Sequence, residues 1–256
     1  MDLPINHFKR ALKSKQLQIG IWNSLPDNIS VEILAGSGFD WVLIDTEHTL
    51  NDLRTVCSQL QAVAASPTHP VVRPPWNDTV MMKRFLDIGV QTFLIPMVQT
   101  EEEARKAVAA TRYPPRGVRG FASAARASRY GRVPDYFARC EQEICVLVQI
   151  ETALALRNIE KIAGVEGIDG IFIGPGDLSA SLGFLGNPTH PQARAAIDDA
   201  IDRIKACGLP AGILTGNEKM AQHYIEAGCL FTAVGSDVGI LANGLEQLAM
   251  RFKSKA

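Results

Sequence analysis

The feature that most constrains the fold of this sequence is an eightfold alternation of short apolar runs with longer runs of helical periodicity. Predicted strands cover residues 18–22, 41–45, 69–74, 92–98, 144–151, 170–174, 210–215 and 230–234. Predicted helices cover residues 28–35, 51–65, 78–88, 101–112, 153–162, 192–206, 218–227 and 239–252. Near-continuous apolar strands that alternate with helices are typical of a parallel sheet covered by helices.

Eight strand–helix units favour a closed barrel over an open sheet. A doubly wound open sheet would need a glycine-rich phosphate loop after its first strand, and Asn-Ser-Leu-Pro at residues 23–26 provides none. Eight is also the number of units that closes a barrel, and 256 residues fit one barrel of about 250. We therefore predict an α/β protein, a (β/α)8 TIM barrel, with residues 1–256 as a single domain.

Composition excludes several classes of partner. The 26 basic and 27 acidic residues give a net charge of -1, which favours neither nucleic acid nor an anionic membrane. No apolar run approaches the roughly 18 residues of a membrane-spanning helix, and no secretory signal is recognisable. Five scattered cysteines indicate reduced, mostly buried thiols. We expect a cytoplasmic protein.

Acidic residues follow three of the predicted strands. Glu151 ends the fifth strand, Asp177 follows the sixth in a Gly-Pro-Gly-Asp turn, and Asp45 ends the second, three residues before His48. Each acid alone would be an ordinary helix N-cap or first-turn residue. Because the carboxyl ends of barrel strands converge at one mouth, three such ends together favour a common site.

The acids at this mouth suit a divalent cation. Glu151 and Asp177 supply hard oxygen ligands, which favours Mg²⁺, Mn²⁺ or Co²⁺ over zinc. Gln149 lies two residues before Glu151 and shares its face of the strand. Backbone N–H groups of Gly176 and Asp177 would open a helix and bind a carboxylate. A 2-oxo acid therefore fits the site, where the cation would act as a Lewis acid on its ketone.

Three further side chains complete the predicted chemistry. His48, oriented by Asp45, can act as the general base, directly or through a water molecule. Arg73, on the third strand, can stabilise a developing enolate or aldolate oxygen. A purely structural salt bridge of Arg73 with Glu151 or Asp45 stays open as an alternative. Together these are the components of a metal-dependent aldolase.

One long connection, residues 113–132, interrupts the strand–helix rhythm. With Arg112 it carries six arginines, together with prolines and glycines that indicate a shaped loop. Two interpretations stay open. The arginines could attract an anionic substrate, or the loop could be a solvated basic surface or a subunit contact.

Six sequence blocks carry a resemblance to a known family. They are IGIWNS, AGSGFDWVLIDTEH, PVVRPPWND, RYPPRGVRG, CVLVQIET and DGIFIGPGDLSASLG. In combination they resemble the 4-hydroxy-2-oxoheptane-1,7-dioate aldolase family of class II pyruvate aldolases. The resemblance covers the chain from about residue 15 to its last residue. It implies a barrel of the phosphoenolpyruvate/pyruvate type and reversible aldol cleavage that releases pyruvate or a close analogue, without a Schiff-base lysine.

The resemblance also implies roles for individual residues. His48 matches the base, Arg73 the transition-state stabiliser, Glu151 and Asp177 the metal ligands, and Gln149 and Gly176 the substrate contacts. Asp87 matches an aspartate that raises the basicity of the histidine across a subunit interface. The family's homo-hexamers are built from dimers that swap their last helix. The apolar stripe Leu241, Leu245, Leu248 and Phe252 is compatible with such a swap, and equally with packing on its own barrel.

The sequence departs from the family pattern on the side where the aldehyde would bind. The loop GVRGFASAARASRYGR is one residue shorter than that of the heptanedioate-cleaving members, with Ala122 in place of a glycine. The end of the seventh strand, at Leu214, also differs. Succinic semialdehyde is the family's default partner, while other aldehydes, and hydroxypyruvate in place of pyruvate, stay open.

Two other functions compete with an aldolase. Another enolpyruvate-handling lyase or a phosphotransferase would need a phosphate or nucleotide cradle, and the sequence has neither a P-loop nor a GxGxxG motif. A non-catalytic 2-oxo acid binding protein would keep the pocket and lack the reaction. His7, His69, His190 and His223 are interpreted as structural or surface residues.

Overall fold

Eight parallel strands close into a barrel in sequence order in a computed structural model that describes residues 1–253. The strands are β1 Gln18–Asn23, β2 Trp41–Asp45, β3 His69–Arg73, β4 Thr92–Ile95, β5 Cys145–Ile150, β6 Gly170–Ile173, β7 Ala211–Leu214 and β8 Phe231–Ser236. This confirms the predicted (β/α)8 fold. Residues 254–256 of the predicted domain 1–256 lie outside the described residues.

Twelve α-helices surround the described part of this barrel. They are α1 His7–Lys13, α2 Asn28–Ala35, α3 Leu53–Val63, α4 Thr79–Asp87, α5 Glu101–Thr111, α6 Tyr136–Arg139, α7 Ala153–Arg157, α8 Ile159–Ala163, α9 Pro175–Ser181, α10 Pro191–Ala206, α11 Glu218–Glu226 and α12 Asp237–Lys253. Capping boxes at Asp52 and Thr100 fix the starts of α3 and α5.

Three differences from the predicted elements have local causes. Helix α1 was not predicted; Asn6 caps it, and its Phe8 is buried against Trp41. The predicted strand at 92–98 ends at Ile95, because Met97 adopts a left-handed backbone with φ of 54°. The predicted helix at 153–162 is split at Asn158 into α7 and α8.

Aromatic rings fill the barrel interior as one column. Phe8 packs on Phe231 at 6.1 Å between centroids, Phe231 on Phe172 at 5.9 Å, and Phe172 on Trp22 at 5.7 Å. Gly212 makes room for the column, since a Cβ there would overlap the Phe231 ring. The polar side chains at the carboxyl ends of the strands therefore stand above a closed, apolar interior.

Helix α12 carries an exposed apolar stripe. Leu241, Leu245, Leu248 and Phe252 are 45–77% exposed, so the stripe does not pack on the barrel of its own chain. Among the described residues, none of the helices is both long and apolar enough to cross a membrane. The five cysteines are free and three of them are buried, in line with the predicted reduced thiols.

Candidate active site

A buried carboxylate follows β5 at the mouth of the barrel. Glu151 is 1% exposed; its Oε1 accepts a hydrogen bond from the Met97 backbone N–H at 2.8 Å, and its Oε2 accepts one from Gln149 Nε2. The left-handed backbone at Met97 lies beside this contact. Gln149 Oε1 is buried and has no donor within residues 1–253, so the amide keeps one acceptor for a ligand.

Gly174, directly after β6, leaves space for these two side chains. A Cβ at Gly174 would lie 2.6 Å from Glu151 Oε2 and 2.8 Å from Gln149 Nε2. Only a glycine therefore fits this position while Glu151 and Gln149 keep their places. Within the Gly-Pro-Gly-Asp motif, Gly176 and Asp177 were the predicted functional residues, and no role was predicted for Gly174.

Gly174→Ala is expected to displace Glu151, lower kcat/KM by about tenfold or more, and destabilise the fold by about 1–3 kcal/mol through overpacking. Gly36→Ala is the matched control, because Gly36 follows α2 at the end of the barrel away from the mouth, and a Cβ there would make only ordinary contacts at 3.4 Å or more. Steady-state kinetics and urea unfolding of both variants make the comparison. Equal effects of the two substitutions would contradict the close-approach argument.

An arginine and two carboxylates form a second cluster beside Glu151. Arg73 Nε and Nη2 bind Asp45 at 2.8 and 2.7 Å, and its Nη1 lies 2.8 Å from Glu47 Oε2. The contact between Arg73 and Glu47 is an ion pair whose geometry is not that of a hydrogen bond. Glu47 Oε2 therefore accepts no hydrogen bond from the described residues. The guanidinium also lies 5.0 Å above the Trp22 ring. Arg73 is therefore fixed on three sides.

The structure separates two residues that the sequence interpretation paired. His48 is exposed, and its Nε2 lies 3.8 Å from Glu47 Oε1. Asp45 was predicted to orient His48, but its carboxylate accepts from Arg73, from Trp22 and from the Glu47 backbone. The reason is strand register, which places Asp45 of β2 opposite Arg73 of β3. The Arg73–Asp45 salt bridge that the sequence left open is therefore present, while the role of Arg73 stays a prediction.

The remaining predicted contacts lie on the loops after β6 and β7. Asp177 and Gly176 are exposed in the first turn of α9, and no side chain within the described chain caps that helix. Leu214 ends β7, half-buried, and packs against the aromatic interior. Both loops lie at the carboxyl ends of the strands, on the side of Glu151.

Burial and the repulsion between neighbouring carboxylates shift the pKa values of the acids at the mouth. Burial raises the pKa of Glu151 to about 7, and the charges of Glu47 and Asp177 add to the increase. Burial likewise raises the pKa of Glu47 to about 6, with the Asp45 and Asp177 charges adding and Arg73 offsetting part. For Asp45, the effect of burial is outweighed by its bonds to Arg73, and its pKa is lowered. A positive charge would relieve this repulsion.

The two carboxylates Glu151 and Asp177 fit a divalent cation whose remaining coordination positions are filled by other ligands. Within residues 1–253, no three Asp, Glu, His or Cys side chains come together closely enough to bind a metal by themselves. Mg²⁺ commonly binds through one or two carboxylates, with water and substrate completing its octahedron. Glu151 and Asp177 match that pattern, so the residues present fit the group.

Asp87 lies at the opposite end of the barrel from His48. Asp87 ends α4, and barrel helices run back from the mouth, so the last residue of α4 lies at the other end. Its Oδ1 lies 3.3 Å from Nη2 of Arg119, which is 1% exposed and stacks on Tyr113. Asp87 therefore cannot reach His48 of its own chain.

The arginine-rich loop 113–132 also lies at the far end of the barrel, because it leaves the end of α5. Arg116 binds Glu141 at 2.7 Å, and Arg126 donates to the Ile88 carbonyl. These arginines therefore do not line the mouth of their own barrel, and the interpretation that they attract an anionic substrate stays a prediction. The alternatives of a surface loop or a subunit contact fit this position.

Four residues of the site were missed or left open by the sequence interpretation. Glu47 stood only within the block that ends in Asp-Thr-Glu-His, and Trp22, in the block IGIWNS, fits a pocket wall and core packing equally well by sequence alone. Met97 and Gly174 act through backbone geometry, which leaves no side-chain signal. A carboxylate two residues from a strand-end aspartate was the one signal that could have identified Glu47.

The fold and site together define a TIM-barrel enzyme with carboxylates, an arginine and a histidine at its mouth. The family model for HpcH/HpaI aldolase/citrate lyase matches residues 18–244. The chain is 59% identical over 252 residues to a pyruvate aldolase of Rhizobium etli, a match that covers 98% of this chain and 99% of that protein. It is 56% identical to a 4-hydroxy-2-oxo-heptane-1,7-dioate aldolase of Shigella sonnei, covering 98% and 96%.

A solved structure agrees with these matches. An HpcH/HpaI aldolase/citrate lyase family protein from Burkholderia cenocepacia superposes with a TM-score of 0.94 at 38% identity, covering 97% of this chain and 99% of that one. The chain therefore belongs to the HpcH/HpaI aldolase/citrate lyase family. It is an aldolase, a carbon–carbon lyase, which confirms the predicted class of enzyme.

Proposed function

We propose that this aldolase depends on a divalent metal ion and reversibly cleaves a 4-hydroxy-2-oxo acid to pyruvate, or hydroxypyruvate, and an aldehyde such as succinic semialdehyde. The observation that carries the proposal is the concentration of carboxylates at the mouth, where burial and like charge raise the pKa of Glu151 to about 7. Such a site is poised to exchange a proton for a metal ion. The names of the relatives support the substrate class.

Glu151 and Asp177 would bind the metal, with Mg²⁺, Mn²⁺ and Co²⁺ as the candidates. When bound, the ion supplies Lewis acidity to the 2-oxo group. Gln149 would contact the same acid through its free Oε1, by way of a water molecule or a hydroxyl. The Gly176 and Asp177 backbone N–H groups, which no side chain of the described residues caps, would bind the substrate carboxylate.

His48 and Arg73 would carry the chemistry of bond cleavage. As the general base, His48 would remove the proton from the 4-hydroxyl group, and in the reverse direction from the methyl group of pyruvate. Its exposed ring leaves room for a substrate. Arg73 would stabilise negative charge on the substrate oxygen. Asp45, rather than orienting His48, would hold the Arg73 guanidinium in place.

In this proposal, the aldehyde side of the pocket is completed by a neighbouring subunit of the oligomer. Leu214 would contact the aldehyde. Because loop 113–132 and Asp87 lie at the far end of their own barrel, they can serve a mouth only across a subunit contact, with Asp87 raising the basicity of the His48 of a neighbouring subunit. The exposed stripe of α12 supports a homo-hexamer of dimers that swap this helix. A cytoplasmic location stays a prediction.

A product assay tests the proposed function. The full chain is incubated with Mg²⁺, Mn²⁺ or Co²⁺, pyruvate or hydroxypyruvate, and a panel of aldehydes that includes succinic semialdehyde, and the adducts are identified by mass spectrometry. We expect 4-hydroxy-2-oxo acids that form only with metal present. Turnover that survives exhaustive chelation would contradict metal dependence, and the absence of adducts would contradict the substrate class.

The pKa of Glu151 predicts how metal affinity depends on pH. Below about pH 7 the proton occupies Glu151 and competes with the metal, so affinity for Mg²⁺ is expected to fall up to about tenfold per pH unit as pH decreases. Above pH 7 the affinity should level off. Calorimetry at a series of pH values measures this. Glu151→Gln should abolish binding, whereas Glu166→Gln, at a side chain 94% exposed, should leave it unchanged.

A further inference from the structure

A chain of three buried amide side chains connects the end of β1 with the end of β2. Asn23 Nδ2 donates to Gln59 Oε1 at 2.7 Å, and Gln59 Nε2 donates to Asn51 Oδ1 at 2.5 Å. Asn51 Nδ2 then donates to the Asp45 carbonyl at 2.9 Å. Asn23 and Gln59 are fully buried, and Asn51 is 7% exposed. We call these three residues the amide relay.

Gln59 occupies a position where packing alone would favour an apolar side chain. The other buried residues of α3, which are Val56, Leu60 and Val63, are all apolar. A buried amide costs free energy unless its groups are bonded, and Gln59 is bonded at both ends. The relay therefore fixes its members in one arrangement that an apolar core would not specify.

The relay ends on the loop that carries the proposed base. Residues 46–52 form neither helix nor strand, and Leu50 in their middle is 85% exposed. Thr46 attaches the start of this loop to β3, donating to the Arg73 carbonyl at 2.6 Å through Oγ1. Asn51 attaches its end by donating to the Asp45 carbonyl and to Thr49 Oγ1. The span between these attachments holds Glu47 and His48.

We propose that Asn23, Gln59 and Asn51 are positioning residues that fix the 46–52 loop, and with it Glu47 and His48, for aldol cleavage. The catalytic part of this inference rests on the proposed role of His48 as the base. The relay itself does not touch a substrate. It acts by restricting the loop, since a misplacement of about 1 Å can cost about a hundredfold in rate.

Two variants remove the relay with little change in side-chain size. Gln59→Met removes its central link, and Asn51→Leu removes its last link and remains available if the first does not fold. Asn6→Leu is the matched control, because Asn6 is a fully buried amide near the opposite end of the barrel, bonded to Thr92 and to the Glu143 carbonyl. All three variants lose a buried amide, but only the first two involve the loop.

Hydrogen–deuterium exchange and kinetics of the full chain give independent readouts. We expect peptides covering residues 45–52 to exchange about five- to tenfold faster in Gln59→Met and Asn51→Leu, matching the loss of about one net hydrogen bond. We expect kcat to fall about ten- to hundredfold with KM changed less than about twofold. Asn6→Leu should change neither. The double variant Gln59→Met/Asn51→Leu should lose no more than either single variant.

The possible outcomes separate this inference from the proposed function. Unchanged exchange of residues 45–52 in both variants, with stability lowered as in Asn6→Leu, would overturn the positioning role. Faster loop exchange with unchanged kcat would show that the relay holds the loop but would overturn its positioning role in cleavage, and it would leave the role of His48 to a separate test. His48→Ala provides that test, because it changes no member of the relay.

Discussion

Replacement of His48 by alanine is expected to lower kcat for aldol cleavage by about 10²- to 10⁴-fold, the usual contribution of a general base. KM should change little, because the proposed substrate contacts come from Gln149, Gly176 and the metal site. The free energy of unfolding should stay within about 0.5 kcal/mol of the wild-type value. The His48 ring is exposed, and among the acids of the described chain it lies near only Glu47, at 3.8 Å. Single-turnover kinetics and thermal unfolding measure the two effects separately.

His223→Ala is the control for this substitution. His223 is also partly exposed and pairs with one acid, Asp198 at 2.9 Å, but it lies on α11, away from the strand ends. It should retain full activity. Exchange of the methyl protons of pyruvate in heavy water gives a second readout, which should stop in His48→Ala. Continued exchange at the wild-type rate would assign the proton transfer to another group.

Replacement of Arg73 by methionine is expected to reduce both activity and stability. The loss of charge stabilisation should lower kcat by about 10²- to 10³-fold. The change also leaves the buried carboxylate of Asp45 and the half-buried carboxylate of Glu47 without their partner, which should lower the free energy of unfolding by about 3–5 kcal/mol. Arg73→Lys should recover only part of either loss, because it cannot form the bidentate bond to Asp45.

Arg203→Met is the matched control for Arg73. Arg203 also binds a carboxylate with two nitrogens, Nε and Nη2 to Glu160 at 2.7 and 2.8 Å, but the Glu160 side chain is 55% exposed. Its loss should therefore cost at most about 1 kcal/mol and leave kcat unchanged. Urea unfolding and steady-state kinetics compare the pair. Similar stability losses in the two variants would contradict the burial argument.

The sequence predicted the barrel because its information is periodic. Apolar strands and amphipathic helices recur eight times, and Glu151, Asp177 and Asp45 could be placed at strand ends by position alone. The partner of Asp45 could not be predicted in this way. His48 is only three residues away in sequence, whereas Arg73 becomes adjacent to Asp45 only through the β2–β3 register. Backbone effects at Met97 and Gly174 were equally invisible, since they depend on close approach of groups far apart in the chain.

The place of loop 113–132 could have been predicted from topology. A segment that leaves a helix and enters the next strand lies at the end of the barrel opposite the mouth. The arginine content suggested an anionic substrate, yet Arg119 is buried beside Asp87 and Arg116 is paired with Glu141. Connectivity was the stronger signal, and charge composition was the weaker one.

The column of aromatic rings from Phe8 to Trp22 has a consequence for how the substrate enters and the products leave. Among the described residues, Phe172 and Phe231 fill the barrel axis below the site, so we expect both product fragments to depart through the mouth by which the substrate entered. The fragment nearer the solvent has to leave before the one anchored deeper. Under the proposed function the keto acid is held at the metal site, so we expect the aldehyde to exit first and the keto acid to act as a product inhibitor.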